Sequence, residues 1–185
     1  MSKLISNLRR RLVSKLILTV GMTLLLTLST WAYFNINYQE KKLMENIVAG
    51  TDRLTNTIKL GTHYAMMLNS RDDINQIINN IGKQKEIANI RIYNKVGQIK
   101  FSNRPAEVDL TTNIKAEVCY ICHRSEPPLS ELALNARTRI FTSPEGHRLL
   151  GIIGPICNEP GCATDACHVH PQGKKILGAL DVVVS

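Results

Sequence analysis

Residues 16–34 read LILTVGMTLLLTLSTWAYF, an uncharged run followed by a long tract in which small or apolar positions recur in steps of three and four. At about 1.5 Å per residue the uncharged run is long enough to cross a hydrocarbon core of about 30 Å, and it predicts a transmembrane helix. The tract after it places Met44, Ile47, Thr51, Leu54, Ile58, Gly61, Ala65 and Leu68 on one seam. That seam predicts a long helix packed on its own domain, with the same spacing open to pairing with a second copy. Ser70, with Asp73 three residues on, caps a second helix whose stripe of Ile74, Ile77, Ile78 and Ile81 ends at Gly82.

Beyond Gly82 the period shortens to two. Residues 87–93 and 98–102 are β-rich, with Ile90/Ile92 and Ile99/Phe101 alternating around an Asn94-Lys95-Val96-Gly97 turn. Residues 137–142 and 147–156 flank a Ser143-Pro144-Glu145-Gly146 turn, and 175–184 forms a fifth strand. Its unbroken Val182-Val183-Val184 run predicts a central position, where both faces are covered. The expectation is an α+β chain with a transmembrane helix, a long helix and a five-stranded, mostly antiparallel sheet. Two segments poor in strand signals, 104–136 and 157–174, interrupt it as insertions.

Charge adds a direction. The chain has 185 residues and a net charge of +8. Five basic residues (Lys3, Arg9, Arg10, Arg11 and Lys15) crowd the first fifteen positions without an acid, which leaves 18 basic against 15 acidic residues beyond them. The surplus is a topology signal, not a phosphate-binding surface, so no nucleic-acid partner is expected. With Trp31 and Tyr33 at the other end of the span, residues 1–15 are cytoplasmic, 16–34 cross the inner membrane once and 35–185 lie in the periplasm. A cleaved signal peptide would export the same residues, but the run exceeds a usual signal core and no small-x-small site precedes Asn35.

All five cysteines fall in the two insertions. In Cys119-Tyr-Ile-Cys122-His123 two thiols are spaced to join the two vinyl groups of a haem while the adjacent imidazole reaches iron. Cys162-Ala-Thr-Asp-Ala-Cys167-His168 keeps the Cys-His pair with a wider gap, and resembles the widened sites of some multihaem cytochromes. The expectation is haem c at the first site and a second haem at the other. A structural zinc site or a disulfide framework could use the same thiols, but zinc does not explain why each pair is followed by His, and disulfides leave His123 and His168 without a role. Cys157 is the odd thiol, open to pairing with Cys162 or to simple burial. With His123 and His168 proximal, the spare axial candidates are His63, His147 and His170, together with Met66 and Met67. His170 is too close to His168 to reach the opposite face of the same iron, so it suits the first haem; His63 suits either; His147 reads as a surface residue.

The order helix, helix, hairpin, hairpin, strand after an anchor resembles the PAS-like, Cache-type extracytoplasmic sensor domains of bacterial receptors, and IRIYNKVGQIKFS from Ile90 is similar to their sheet opening. More specifically, Pro155-Ile-Cys-Asn158-Glu159-Pro160, Cys167-His168-Val-His170-Pro171 and Ile176-Leu-Gly178-Ala-Leu-Asp181-Val resemble the haem-containing sensor region of some membrane histidine kinases. The similarity covers roughly residues 85–185. It implies that the last strand runs on to a second span, a HAMP linker and a cytoplasmic output. The sequence stops at Ser185 before any of these, so no kinase activity attaches to these residues, and Cys157 stands where the resemblance implies a non-thiol.

Two functions fit: a haem sensor that signals through the long helix, as a homodimer with a cytoplasmic signalling partner, and a membrane-tethered cytochrome that exchanges electrons with a redox partner. The sheet order and the seam favour the sensor on fold-level analogy. Apart from the haem sites there is no paired acid and base, nucleophile elbow or phosphate loop to suggest an enzyme.

Overall fold

The computed structural model describes residues 2–113, 115–124, 129, 131–159, 173 and 175–185, with side chains from residue 11 onward except that of residue 117. The chain divides into two compact units, Met1–Ile47 and Val48–Ser185. The first helix, α1 (Ser2–Met67), supplies all of the first unit and the opening of the second.

In the first unit α1 is long and apolar enough to span a membrane, and its apolar side chains are exposed rather than packed on protein. The hydroxyls of its four threonines there are already satisfied. Thr19 Oγ1 donates to the Leu16 carbonyl (3.0 Å), Thr23 to Val20 (2.9 Å), Thr27 to Thr23 (3.0 Å) and Thr30 to Leu26 (2.8 Å). Such back-bonding leaves none of these threonine hydroxyls stranded in hydrocarbon.

In the second unit α1 is followed by α2 (Arg71–Ile81), β1 (Ile87–Asn94), β2 (Ile99–Ser102), α3 (Glu117–His123), β3 (Thr138–Thr142), β4 (Arg148–Cys157) and β5 (Ile176–Val184). The strands form one antiparallel sheet in the order β2-β1-β5-β4-β3, with β5 in the middle as its valine run predicts. Each boundary lies within one residue of the expected one. Both turns form where expected: Gly97 (φ +79°) and Gly146 (φ +88°) occupy the left-handed conformation that glycine tolerates without cost.

Three expectations change. The face of α1 that meets the sheet is Thr51, Thr55, Ile58, Thr62 and Ala65, all buried, while Gly61 and Leu68 of the expected seam are exposed. Threonines fit that face because Thr55 and Thr62 bond back to the carbonyls of Thr51 and Ile58, each at 2.8 Å. Gly154 on β4 helps as well, since a Cβ there would come within 3.3 Å of Thr55 Cγ2. At α2, Ser70 takes the N-cap position but its hydroxyl donates to Asp73 Oδ2 (2.6 Å) and caps no backbone N–H. On β2, Ile99 and Phe101 do not share a face: a bulge at Ile92/Tyr93 pairs Phe101 with Ile92 and Ile99 with Tyr93.

Two apolar clusters result, one on each face of the sheet. Ile58 and Ala65 of α1 and Ile74 and Ile78 of α2 cover Ile90, Ile92, Phe101, Leu180 and Val182. The other face carries Tyr93, Ile99 and Ile153 beneath Val118 of α3. That face also holds charge. Asp181, fully buried at the centre of β5, receives Arg139 from β3: Nη2 donates to Oδ2 at 2.9 Å, and Nη1 lies 2.8 Å from Oδ1 in a contact too bent to be a hydrogen bond. Arg139 reaches Asp181 past its register partner Gly151 on β4, where a Cβ would fall 2.6 Å from the guanidinium carbon. Arg91 of β1 lies 3.7 Å from the same carboxylate and binds Glu107 in two places (2.7 and 2.8 Å).

Glu107 is held between opposing forces. Burial pushes its carboxyl up, but hydrogen bonds from Arg91 and Asn89, with the Arg91 charge, outweigh it and bring the pKa to about 2 from the ordinary 4.5. A depressed carboxyl stabilises the fold fully above its unfolded pKa and loses that contribution as pH falls through the folded value. Stability therefore falls between pH 4.5 and about 2. Glu107→Gln is expected to cost about 2–3 kcal/mol at pH 7 and to flatten that acid limb, read from denaturation midpoints of the full chain in detergent. Arg139→Ala, which leaves Asp181 short of its main partner, is expected to cost about 3–5 kcal/mol, while Arg139→Met combined with Asp181→Leu recovers most of the loss. Equal losses in the single and double variants would argue against this account of the pair.

Candidate functional site

The expected haem-attachment motif forms α3, a helix of seven residues in a segment where no regular structure was anticipated. Asn113 Oδ1 accepts from Lys115 N (2.9 Å), turning the chain, and Cys119 N donates to Ala116 O (2.9 Å) to open the first turn. The Cys122 carbonyl accepts from Leu129 N at 2.9 Å beyond its end. Cys119 and Cys122, three apart, fall on one side of the helix. Val118 anchors α3 in the apolar cluster, with Cys119 and Ile121 packed at its margin.

A cavity of about 240 Å³ opens between α3 and the sheet, and Cys119, Cys122 and His123 all line it. Its other walls include Tyr93, Val118, Ile153, Pro155 and Ala179. Both cysteines are half-buried, and burial pushes both thiols up; the Asp181 carboxylate and Cys122 push Cys119 further, against a smaller opposing effect of Arg139. Both are therefore protonated at neutral pH rather than standing thiolate nucleophiles. His123, the last residue of α3, is exposed to solvent.

A second cavity, about 300 Å³, lies beside the cluster on the opposite face of the sheet. His63, Met66 and Met67 from the end of α1 line it, with Arg71, Ile74, Phe101, Lys100 and Cys157. His63 is half-buried, its Nε2 3.8 Å from Glu159 Oε2. His63 lines this cavity and not the one at α3. The two cavities meet at the sheet end: Tyr93, Asn94 and Gly178 belong to the walls of both. Gly178 lies so close to Tyr93 O that a Cβ would collide with it.

Cys162, Cys167, His168 and His170 lie outside the described residues. His147 is exposed at the second hairpin turn. Cys119, Cys122 and Cys157 carry no disulfide among the described residues, and no group of three or more His, Cys, Asp or Glu side chains there converges as a metal site. Arg71 and Lys100 escaped the sequence reading, since only the fold brings α2 and β2 to the end of α1. No protein-family model matches the chain, and no curated protein matches it either.

In haem-free protein, alkylation of Cys119 and Cys122 followed by mass spectrometry should show a pH midpoint above that of an ordinary thiol. A midpoint at or below the ordinary value would contradict the buried, protonated state.

Proposed function

We propose that this chain is an inner-membrane-anchored, periplasmic haem c sensor domain for redox or ligand signals, the receiving part of a histidine-kinase-type receptor. The observation that carries the reading is the joint placement of Cys119, Cys122 and His123 along one apolar-walled cavity. A haem has the same requirements: two sulfurs on one side, an imidazole beside them and apolar surface for the ring. Attachment balances without an outside oxidant or reductant, each S–H adding across a vinyl bond with sulfur on one carbon and hydrogen on the other. When bound, the haem supplies an iron that changes charge by one electron or takes a ligand at an open axial position.

The chain's own residues do the rest. Val118 and Ile153 exclude water, Cys119 and Cys122 fix the ring, and His123 takes the proximal position. Cys162, Cys167 and His168 hold a second haem in this reading, with His170 and His63 as further axial candidates. The basic first fifteen residues hold the N-terminus in the cytoplasm. Because α1 carries both the apolar span and His63, a change at the haem domain has a continuous helix through which to bias a cytoplasmic output. Leu60, Tyr64 and Leu68, exposed at spacings of four on α1, support pairing with a second copy. The observed order of two helices, two hairpins and a last strand agrees with that of the PAS-like sensors the sequence resembles. A membrane-tethered electron-transfer cytochrome is the second reading, favoured by the shared wall of the two cavities.

The test is a pyridine-haemochrome spectrum with an intact mass on the chain produced in a host that exports and attaches haem. Two haem masses are expected. A Cys119→Ala/Cys122→Ala variant should carry one fewer, and a parent without covalent haem would end the proposal. Between the two readings, an adjacent reading frame that opens with a membrane span and HAMP-like helices favours sensing, and neighbouring multihaem cytochromes favour electron transfer.

A further inference from the structure

We propose that the cavity at the end of α1 binds a small organic carboxylate, an anion with an aliphatic or aromatic body, and that Arg71 is the partner of its head group. The inference goes beyond the haem reading and does not rest on it, since neither a cysteine nor an iron ligand takes part.

The turn between α1 and α2 builds the charged end of the site. Asn69 takes the left-handed conformation (φ +51°), while Ser70 N donates to Ala65 O (2.9 Å) and Asn69 N donates to Met66 O (3.1 Å). These bonds close the last turn of α1 and reverse the chain at once, so that α2 opens on Arg71. There the guanidinium carbon lies 5.3 Å from the Phe101 ring centroid, a cation over an aromatic face. Arg71 makes no ion pair among the described residues, so the ring holds its guanidinium at the cavity wall with the fork of donors unspent. Lys100 is a second cation in that wall; its Nζ donates to Asp109 Oδ1 at 2.8 Å. Among the described residues no Asp or Glu lines the cavity: Asp109 and Glu159 meet Lys100 and His63 but are not part of the wall.

The remainder is apolar, with Ile74, Ile92, Phe101, Ile156 and Leu177 around a volume of about 300 Å³. That volume is at the small end of ligand sites and equals roughly ten water molecules, enough for one ring or a branched chain with its carboxylate. A bare anion leaves the apolar wall wet, and an uncharged molecule leaves the guanidinium fork unused. A molecule with both parts uses both halves, through a charge-assisted pair with Arg71 and burial of its body. Once bound it touches the end of α1, the start of α2 and the sheet together, and so clamps α1 to the sheet at that end.

The test is isothermal titration of the full chain in detergent with benzoate, phenylacetate and isovalerate, against benzamide as an uncharged counterpart and acetate as a bare head group. At least one of the three carboxylates is expected to bind saturably at one site, with benzamide and acetate weaker by about tenfold or more. Arg71→Gln, at an exposed position, should weaken the carboxylate by about tenfold and leave benzamide unchanged. Arg71→Lys, which keeps the charge without the planar fork, should fall between parent and Arg71→Gln. Equal affinity for benzoate and benzamide would overturn the anion, and an unchanged affinity in Arg71→Gln would overturn the site. No saturable binding of any of the three up to about 10 mM would overturn the proposal as a whole. Haem content, read by intact mass on the same samples, keeps the two readings apart: a chain that lacks haem and still binds the carboxylate through Arg71 supports this inference while ending the haem proposal.

Discussion

A carboxylate with no exposed surface needs a cation, and the sheet is arranged to supply one. Asp181 sits in the middle strand, and its main partner arrives from β3, two strands away, across the backbone of β4. Removing a carboxylate from water costs several kcal/mol unless it is closely paired, so β3, β4 and β5 are held in one register by that pair. Arg91 extends the same field to β1, and Glu107, through Arg91, ties in the start of the first insertion. The face that receives α3 is thus polar at its centre and apolar beside it, and Cys119 lies close enough to that centre for Asp181 to influence its thiol.

The period of a strand makes the two faces independent. Residues 179 and 181 of β5 look toward α3, while 180 and 182 look toward α1 and α2, so one strand can serve two cavities whose chemistry differs. The bulge in β2, at Lys100, extends this economy to the edge, where a strand of four residues contributes Ile99 to one side and Phe101 to the other. Where the strands end, the separation ends too, and the cavities touch.

Local pattern was enough for most of the architecture. Turn glycines, the switch from a period near 3.6 to a period of two, and the valine run in β5 place every strand to within a residue, join the two hairpins and put β5 at the centre of the sheet. Its limits are instructive. The buried stripe of α1 includes Thr55 and Thr62, which hydropathy reads as polar although their hydroxyls are consumed by the helix itself. The split of Ile99 from Phe101 depends on one extra residue, Lys100, in β2 itself, which alternation cannot register. At the candidate site, Cys119, Cys122 and His123 are legible because they adjoin in the sequence and stay together on one short helix. Arg71, Lys100 and the proximity of His63 to Phe101 are not, since they depend on how α1, α2 and β2 converge.

The bare backbone at Gly151 has a consequence for how such a sheet can diverge. Arg139 fits only while position 151 lacks a side chain, and the residue at 151 can grow only once the guanidinium has gone. The guanidinium in turn cannot leave while Asp181 remains charged and buried. Positions 139, 151 and 181 therefore form an epistatic triplet: lineages that abandon the ion pair must lose the acid first or exchange all three nearly together. Sequences descended from this one should show either Arg, Gly and Asp or an apolar set at those positions, with few mixtures between them.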